Sequence, residues 1–201
     1  MQNGYSPKDA KSGALAARAS SNLSLGLESG IVRLVEYDER WPALFAAESA
    51  RMLSAVSEFP LTLEHIGSTA VPGLCAKPVL DILAGHAPAV PILQYVAPFE
   101  RAGYQHRGDG GIVGHQFFRR GQPRAYHIHL VEWGGRLWRE YLAFRDYLRS
   151  DRPAAARYAE IKQSLAVRFP RDREAYLTGK SSFVVEAIRH SIGGGISHPA
   201  T

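Results

Sequence analysis

Two apolar runs, separated by a loop with two prolines, place the strongest constraint on the fold of this chain. The first run covers residues 61–66 and ends at Gly67-Ser68, and the second covers residues 79–83. Runs of this length and composition are typical of buried strands. Pro72 and Pro78 exclude a continuous helix or a central strand between them, because proline has no backbone N–H to donate. The segment therefore predicts a strand, a tight turn, an irregular loop and a second strand.

A single carboxylate, that of Asp81, lies in the middle of the second run. Burying an ionised carboxylate is costly unless it is paired or bound to a cation, so Asp81 requires a partner. Gly67 and Ser68 offer backbone N–H groups and a hydroxyl at one point, an arrangement that can hold a phosphate oxygen. Lys77, in the same loop, adds a positive charge. The alternative is that Gly67-Ser68 is only a turn and that Asp81 caps a backbone group.

Two histidines lie two residues apart on another candidate strand. Residues 115–120 and 124–132 are strand-like, and Gly-Gln-Pro between them predicts a hairpin. Alternation places His127 and His129 on the same face of the second strand. Three roles remain open for them. They bind a divalent metal together with Asp81, they bind an anionic group of a substrate, or they are structural, with one histidine in the core.

Helical spacing of apolar residues predicts three helices after residue 136. The last two helices each carry a tyrosine four residues before a lysine, so that both side chains share one face: Tyr158 with Lys162, and Tyr176 with Lys180. Each pair is either a ring packed on a lysine stem or a lysine that reaches a phosphate. Together with the helices and strands predicted earlier in the chain, these elements indicate an α/β (α+β) fold. We expect a mixed sheet flanked by helices and a helical C-terminal part over residues 137–190.

The central segment resembles the signature of the GrpB family, whose fold is similar to that of the DNA polymerase beta-like nucleotidyltransferases. The resemblance rests on residues 65–74, His-Ile-Gly-Ser-Thr-Ala-Val-Pro-Gly-Leu, followed by Ala76-Lys77-Pro78 and Asp81-Ile82. It extends over most of residues 31–189. Further matching segments are Val35-x-Tyr37-Asp38-x-x-Trp41, Arg119 through His127-x-His129, Phe144-Arg145-x-Tyr147-Leu148 and the two Tyr-x-x-x-Lys pairs.

The resemblance implies a metal-dependent enzyme that transfers a nucleotidyl or phosphoryl group from a nucleoside triphosphate to a small acceptor. Asp81 and Ser68 would be catalytic. The superfamily's second acid is replaced by Leu83, so the alternative is a catalytically degenerate module that binds a nucleotide or coenzyme. The metal, Mg²⁺ or Mn²⁺ with Zn²⁺ as a further alternative, would be held by Asp81, His127 and His129. The phosphates would be held by Gly67, Ser68, Thr69, Lys77, Arg119, Lys162 and Lys180.

Length and charge fit one domain that binds an anion. The chain has 201 residues, a net charge of +5 and an isoelectric point near 9.5. A nucleotide or another anionic small molecule is the expected partner. Nucleic acid is disfavoured, because the arginines at 119, 120 and 124 are not interleaved with aromatic residues on which bases would stack.

The domain is predicted over residues 31–190, between a disordered tail, 1–30, and a flexible tail, 191–201. Cys75 is the only cysteine, which excludes an intramolecular disulfide and a Cys-rich zinc site. The chain shows neither a signal-like start nor an apolar run long enough to cross a bilayer. These observations predict a cytoplasmic location and no membrane partner.

Overall fold

The computed structural model describes residues 25–193 and contains a five-stranded mixed sheet. The strands follow the order β1-β2-β5-β4-β3 across the sheet, with β2 and β5 parallel and the other neighbours antiparallel. The predicted mixed sheet is therefore confirmed. The strands are β1 (Leu61–Ile66), β2 (Leu80–His86), β3 (Gln105–His106), β4 (His115–Arg120) and β5 (Tyr126–Glu132).

Helices flank the sheet, as predicted. α1 (Trp41–Ala55) and α2 (Val96–Arg101) contribute to the core on one face of the sheet. The helical C-terminal part consists of α3 (Arg136–Ser150), α4 (Arg152–Arg168) and α5 (Arg173–Gly193). None of the helices within residues 25–193 has the length and apolar character needed to span a membrane.

Alternation along β5 separates two cores. Ile128 and Leu130 face α1 and α2 and are fully buried in the larger core. Val131 faces the other side, where it packs with Leu83 of β2 and Trp138 of α3. Because side chains alternate along a strand, His127 and His129 lie on the Val131 face, as the sequence predicted.

α3 approaches the sheet closely because β2 has no side chain at Gly85. A Cβ atom at this position would lie 2.7 Å from the Trp138 ring, too close for a real contact, and 3.0 Å from Cβ of Trp133, which is tighter than most contacts. The Trp138 ring therefore lies directly against the strand. From the same helix, the Tyr141 hydroxyl comes within 3.1 Å of His129 Nδ1.

The segment before α1 differs from the expectation of a strand at its start. Among residues 31–35, only Val35 forms a β-bridge, through two backbone hydrogen bonds of 2.8 and 2.9 Å to Ala76. The Val32 N–H donates instead to the Pro170 carbonyl at 2.8 Å. Val32 is buried instead among Leu165 and Tyr176 of the C-terminal helices. The apolar run thus contacts helices, and burial of its side chains does not require a full strand ladder.

The predicted tails lie mostly outside the described residues. Where the structure describes the first of them, over residues 25–30, the chain is attached to the domain. The Gly26 N–H donates to the Pro78 carbonyl at 2.7 Å, the Leu27 N–H donates to the Arg124 carbonyl at 2.9 Å, and the Leu27 side chain is buried. At the other end, α5 continues to Gly193, beyond the predicted boundary at residue 190.

Candidate functional site

A cavity of about 420 Å³ lies between the sheet face that carries Asp81 and the helices α3, α4 and α5. A cavity of this size suits a small-molecule ligand. Its wall includes every predicted site residue except Arg119, although these residues come from separate parts of the chain. They are Gly67, Ser68, Thr69, Lys77, Asp81, His127, His129, Lys162 and Lys180.

Asp81 is held in the wall of this cavity by His127. The two residues are opposite each other in the parallel pair β2–β5, and His127 Nδ1 lies 3.0 Å from Asp81 Oδ1. Burial raises the pKa of the Asp81 carboxyl, but the hydrogen bond from His127 and the nearby imidazole of His129 outweigh it and hold that pKa well below its usual range. Burial lowers the pKa of His127. Asp81 is therefore ionised, and the neutral His127 donates from Nδ1.

The turn after β1 touches this carboxylate because Gly67 has no side chain. Gly67 has φ +71°, and a Cβ atom there would lie 2.6 Å from Asp81 Oδ2. The next residue, Ser68, begins a single 3₁₀ turn, and its hydroxyl accepts a hydrogen bond of 3.0 Å from Lys162 Nζ. The turn, the carboxylate and a lysine thus meet at one place.

Thr69 and Arg119 differ from the other predicted phosphate ligands. The Thr69 hydroxyl is 2.9 Å from His65 Nε2, and the residue is 1% exposed, so its side chain stabilises the turn. Arg119 lies on β4 outside the cavity wall. Its guanidinium carbon is 5.5 Å from the centre of the Phe117 ring, which does line the cavity.

The lysines of the helical wall pack on tyrosine rings and also line the cavity. Lys162 is 2% exposed, and its Nζ lies 4.8 Å from the centre of the Tyr158 ring and donates to the Cys75 carbonyl. Burial lowers the pKa of Lys162 to about 7. Lys180 Nζ is 3.3 Å from the Tyr158 hydroxyl. Both roles considered for the Tyr-x-x-x-Lys pairs are thus compatible with this geometry.

Positive charge exceeds negative charge in the cavity wall. The wall contains two carboxylates, and one of them, Glu140, pairs with Arg136 at 2.6 Å. Asp81 is therefore the one carboxylate of the wall whose negative charge offsets the basic side chains. Burial and the neighbouring Lys180 lower the pKa of Lys77 to about 8. Such a wall suits a ligand with several negative charges. The cationic side chains are those of Lys77, Lys162, Lys180 and Arg173.

The three predicted metal ligands do not form a complete site by themselves. His129 Nε2 lies 3.9 Å from Asp81 Oδ1, whereas His127 uses Nδ1 to bind Asp81 and has its Nε2 buried without a hydrogen-bond partner. Across residues 25–193, no group of three or more His, Cys, Asp or Glu side chains is arranged to hold a metal ion. Asp81 and His129 fit a divalent cation that receives its other ligands from a bound phosphate compound.

Leu83, at the position where the sequence resemblance implies a second acid, is fully buried. It packs with Ile66, Val131 and Trp138 in an apolar cluster. Its cross-strand neighbours are His129 of β5 and Glu64 of β1, but the side chains that cover it are apolar, and burying a carboxylate among them would be costly. The site therefore has one carboxylate on β2.

Two residues of the site, Tyr141 and Arg173, were not predicted from the sequence. Tyr141 belongs to the apolar and aromatic repeat of α3, and such a pattern normally indicates core. Arg173 begins α5 within a charged run, Arg-Asp-Arg-Glu, that is typical of a solvated helix start. Neither residue carries a sequence signal that separates it from these common roles.

Comparisons with known proteins agree with this architecture. The chain is 38% identical over 173 residues to a UPF0157 protein of Pseudomonas aeruginosa, covering 84% of this chain and 70% of that protein. It is 29% identical over 188 residues to a protein named dephospho-CoA kinase from Mycolicibacterium paratuberculosis, covering 80% of this chain but 46% of that protein. The crystal structure of the conserved protein GrpB from Enterococcus faecalis matches with a TM-score of 0.74 and 30% identity, covering 81% of this chain and 98% of that one. The model of the GrpB protein family matches residues 31–190, and the chain belongs to this family.

Proposed function

We propose that the cavity binds a nucleoside triphosphate through its phosphates and that the protein transfers a nucleotidyl group from it to a small acceptor. The observation that carries this proposal is that three lysines, Lys77, Lys162 and Lys180, line one cavity together with the ionised carboxylate of Asp81. A polyphosphate is the common metabolite class that matches this surplus of positive charge. Lys77, Lys162 and Lys180 would stabilise the charge that develops on the phosphates.

In the proposed reaction, an acceptor oxygen forms a bond to the α-phosphorus. The bond from that phosphorus to the pyrophosphate breaks, and the acceptor's proton is released to water. Ser68, held by Lys162, would donate its hydroxyl hydrogen to a phosphate oxygen. A divalent cation held by Asp81 and His129 would neutralise charge on the phosphates. His127 would keep the Asp81 carboxylate ionised and oriented.

The relative named dephospho-CoA kinase supports a ligand from nucleotide or coenzyme chemistry. A region similar to this chain makes up 46% of that protein, so the similarity concerns part of a longer polypeptide. The nature of the acceptor does not follow from this similarity.

A second candidate function is that of a nucleotide-binding or coenzyme-binding module without chemistry. The specific observation in its favour is Leu83, which is fully buried where a second metal-binding acid would be required. With one carboxylate, the pair of metal ions that clamps the attacking and leaving oxygens does not form in the usual way. The cationic wall would then serve binding alone.

Calorimetric titration and product analysis on the full chain separate the two candidates. We would titrate ATP, GTP, CTP and UTP with and without Mg²⁺ or Mn²⁺, and then measure pyrophosphate released in the presence of a small-molecule metabolite extract. We expect release by the wild type and none by Asp81→Asn, with an unchanged melting temperature. Glu58→Gln, at an exposed position, is the matched control and should remain active. A fully active Asp81→Asn protein would refute the assignment, and binding without product would favour the module.

A further inference from the structure

Three arginines near the cavity have buried guanidinium nitrogens without a partner. Nε of Arg119, Nε and Nη2 of Arg124, and Nε of Arg173 are buried and make no hydrogen bond. Arg124 as a whole is only 6% exposed. None of the three forms an ion pair with another residue in the part of the chain that the structure describes. Arg119 and Arg173 are half-buried as whole residues. Because a buried donor without a partner is unfavourable, these four nitrogens favour a bound acceptor such as an anion.

The three arginines belong to β4, to the connection between β4 and β5, and to the start of α5. Arg119 is opposite His127 in the antiparallel pair β4–β5, and opposite residues point to the same face of a sheet. Arg119 therefore lies on the Asp81 face. Burial first, and then the positive charge of Arg173, lower the pKa of both Arg119 and Arg124, in agreement with this placement.

The position of this arginine group, Arg119, Arg124 and Arg173, is fixed by the fold and connects to the cavity. The carbonyl of Arg124 accepts a hydrogen bond of 2.9 Å from the Leu27 N–H, which anchors the hairpin end. Arg173 lines the cavity itself. The Arg119 guanidinium packs on the ring of Phe117, which also lines the cavity. A ligand in the cavity therefore has an adjacent group of unpaired donors.

We propose that the arginine group is a second anion subsite that binds a phosphate group, next to the lysine-lined part of the cavity. Guanidinium groups present paired donors that match phosphate oxygens, and charge-assisted hydrogen bonds of this kind are strong. Three positive charges balance a phosphate dianion better than they balance a single carboxylate. The subsite itself does not require any reaction.

The arginine group also indicates the class of acceptor substrate. This part of the inference rests on the proposed function, the transfer of a nucleotidyl group in the cavity. The lysine-lined part, with Ser68 and Lys162, would take the triphosphate. The arginine group would take a phosphate already present on the acceptor. The acceptor class is then a phosphorylated small molecule with a free hydroxyl.

The test is calorimetric titration of inorganic phosphate into the full chain, alone and with a saturating non-hydrolysable nucleoside triphosphate. We expect phosphate binding in both conditions. Arg124→Met and Arg173→Gln should each weaken it about tenfold or more, because each removes charge-assisted hydrogen bonds. Lys162→Met should leave phosphate binding unchanged and weaken nucleotide binding. Arg101→Met is the matched control, since Arg101 is exposed and pairs with Glu58, and it should change neither affinity.

Several outcomes overturn the subsite. Phosphate binding that survives in both Arg124→Met and Arg173→Gln refutes it, as does phosphate binding that nucleotide displaces and Lys162→Met abolishes. Acetate binding more tightly than phosphate refutes the assignment to phosphate. Circular dichroism checks that each variant is folded, and Arg173→Gln, at a partly exposed position, carries the test if Arg124→Met does not fold. If phosphate binding depends on the arginines but no nucleotide binds, the subsite is supported and the proposed function is refuted.

Discussion

Arg119 and Arg120 are adjacent on β4, yet they lie on opposite faces of the sheet and in opposite electrostatic surroundings. Arg120 Nη1 donates to Glu48 Oε2 at 2.7 Å, and Arg51 Nη2 donates to Glu48 Oε1 at 3.0 Å. The Tyr104 hydroxyl donates to the same carboxylate. In this Glu48 cluster (Glu48, Arg51, Tyr104 and Arg120) the buried charge is paired. On the other face, the arginine group has buried donors without partners.

The comparison separates charge that stabilises the fold from charge that is available to a ligand. Burying a pair of charges is tolerated when hydrogen bonds compensate both of them, as they do at Glu48. We expect the unpaired donors at Arg124 to lower the stability of the ligand-free protein, and a bound anion to remove that cost. Arginine charge is thus paired within the protein in the Glu48 cluster, whereas in the arginine group it is available to a ligand.

The largest effect is expected from removing the carboxylate of the Glu48 cluster. Glu48→Ala leaves two arginines and a tyrosine hydroxyl without their shared acceptor, and Glu48 is only 4% exposed. We expect the free energy of unfolding in urea to fall by about 3–5 kcal/mol, as for other broken buried pairs. Glu58→Ala is the control, because Glu58 and Arg101 are both more than half exposed, and it should cost at most about 1 kcal/mol. Similar losses in the two variants would contradict the distinction.

A second prediction compares one arginine from each face. Arg120→Met removes a hydrogen bond to buried Glu48 and should lower the free energy of unfolding by about 2 kcal/mol. Arg124→Met removes an unpaired charge and should leave the ligand-free protein unchanged or about 1 kcal/mol more stable. Urea unfolding without phosphate in the buffer measures both. A larger loss in Arg124→Met than in Arg120→Met would show that Arg124 stabilises the fold.

A third prediction uses pH to distinguish the faces. Burial lowers the pKa of Lys162 to about 7 in the folded protein, so above that pH the unfolded chain binds more protons than the folded one. The free energy of unfolding of the ligand-free protein should therefore rise by roughly 2 kcal/mol between pH 7 and pH 9 from this residue. Lys162→Met should remove that part of the rise, and Glu58→Ala should retain it.

The Glu48 cluster should respond in the opposite pH range. Burial raises the pKa of Glu48, but hydrogen bonds from Arg51 and Tyr104 outweigh it and lower that pKa below its usual value. The stability that this carboxylate provides is complete at neutral pH and is lost as pH falls through its folded pKa.

For the Lys162 prediction, a free energy of unfolding that stays constant between pH 7 and pH 9 in the wild type would contradict the assignment of Lys162 as a buried, partly neutral amine.

The smallest effect concerns a divalent cation. Within residues 25–193, Asp81 forms ion pairs with histidines only, whereas both oxygens of Glu48 are bound by arginines. We therefore expect a cation to bind at Asp81 and not at Glu48. We expect weak Mn²⁺ binding and weaker Mg²⁺ binding without nucleotide, with His129→Ala lowering Mn²⁺ affinity about tenfold. Calorimetric titration measures this, and His106→Ala is the matched control outside the cavity. Unchanged Mn²⁺ affinity in His129→Ala would exclude His129 as a ligand.

Sequence patterns predicted the elements well because burial imposes periodicity on side chains. The turn at Gly67-Ser68, the position of Asp81 on β2 and the alternation along β5 all follow from local composition. Residues 31–35 show the limit of this reasoning. Their apolar pattern indicates burial, but the partner that covers them, the C-terminal helices, cannot be read from the pattern itself.

Charge pairing could not be predicted, since it depends on which distant residues meet. Asp81 was expected to need a partner, but the identity of that partner, His127, depends on the register of β2 against β5. Likewise, local composition does not indicate that Arg120 contacts a carboxylate 72 positions away, whereas Arg119 contacts no carboxylate among the described residues. Registers and helix packing decide these contacts, and both are properties of the complete fold.

Gly85 lies outside the cavity wall, yet it restricts how the site can be altered by protein engineering. Any side chain there would collide with the rigid Trp138 ring and push α3 outwards, moving Tyr141 away from His129. A library of variants limited to cavity-lining positions would miss this dependence. To widen the cavity without separating α3 from the sheet, one would shorten side chains on the helix and keep glycine at position 85.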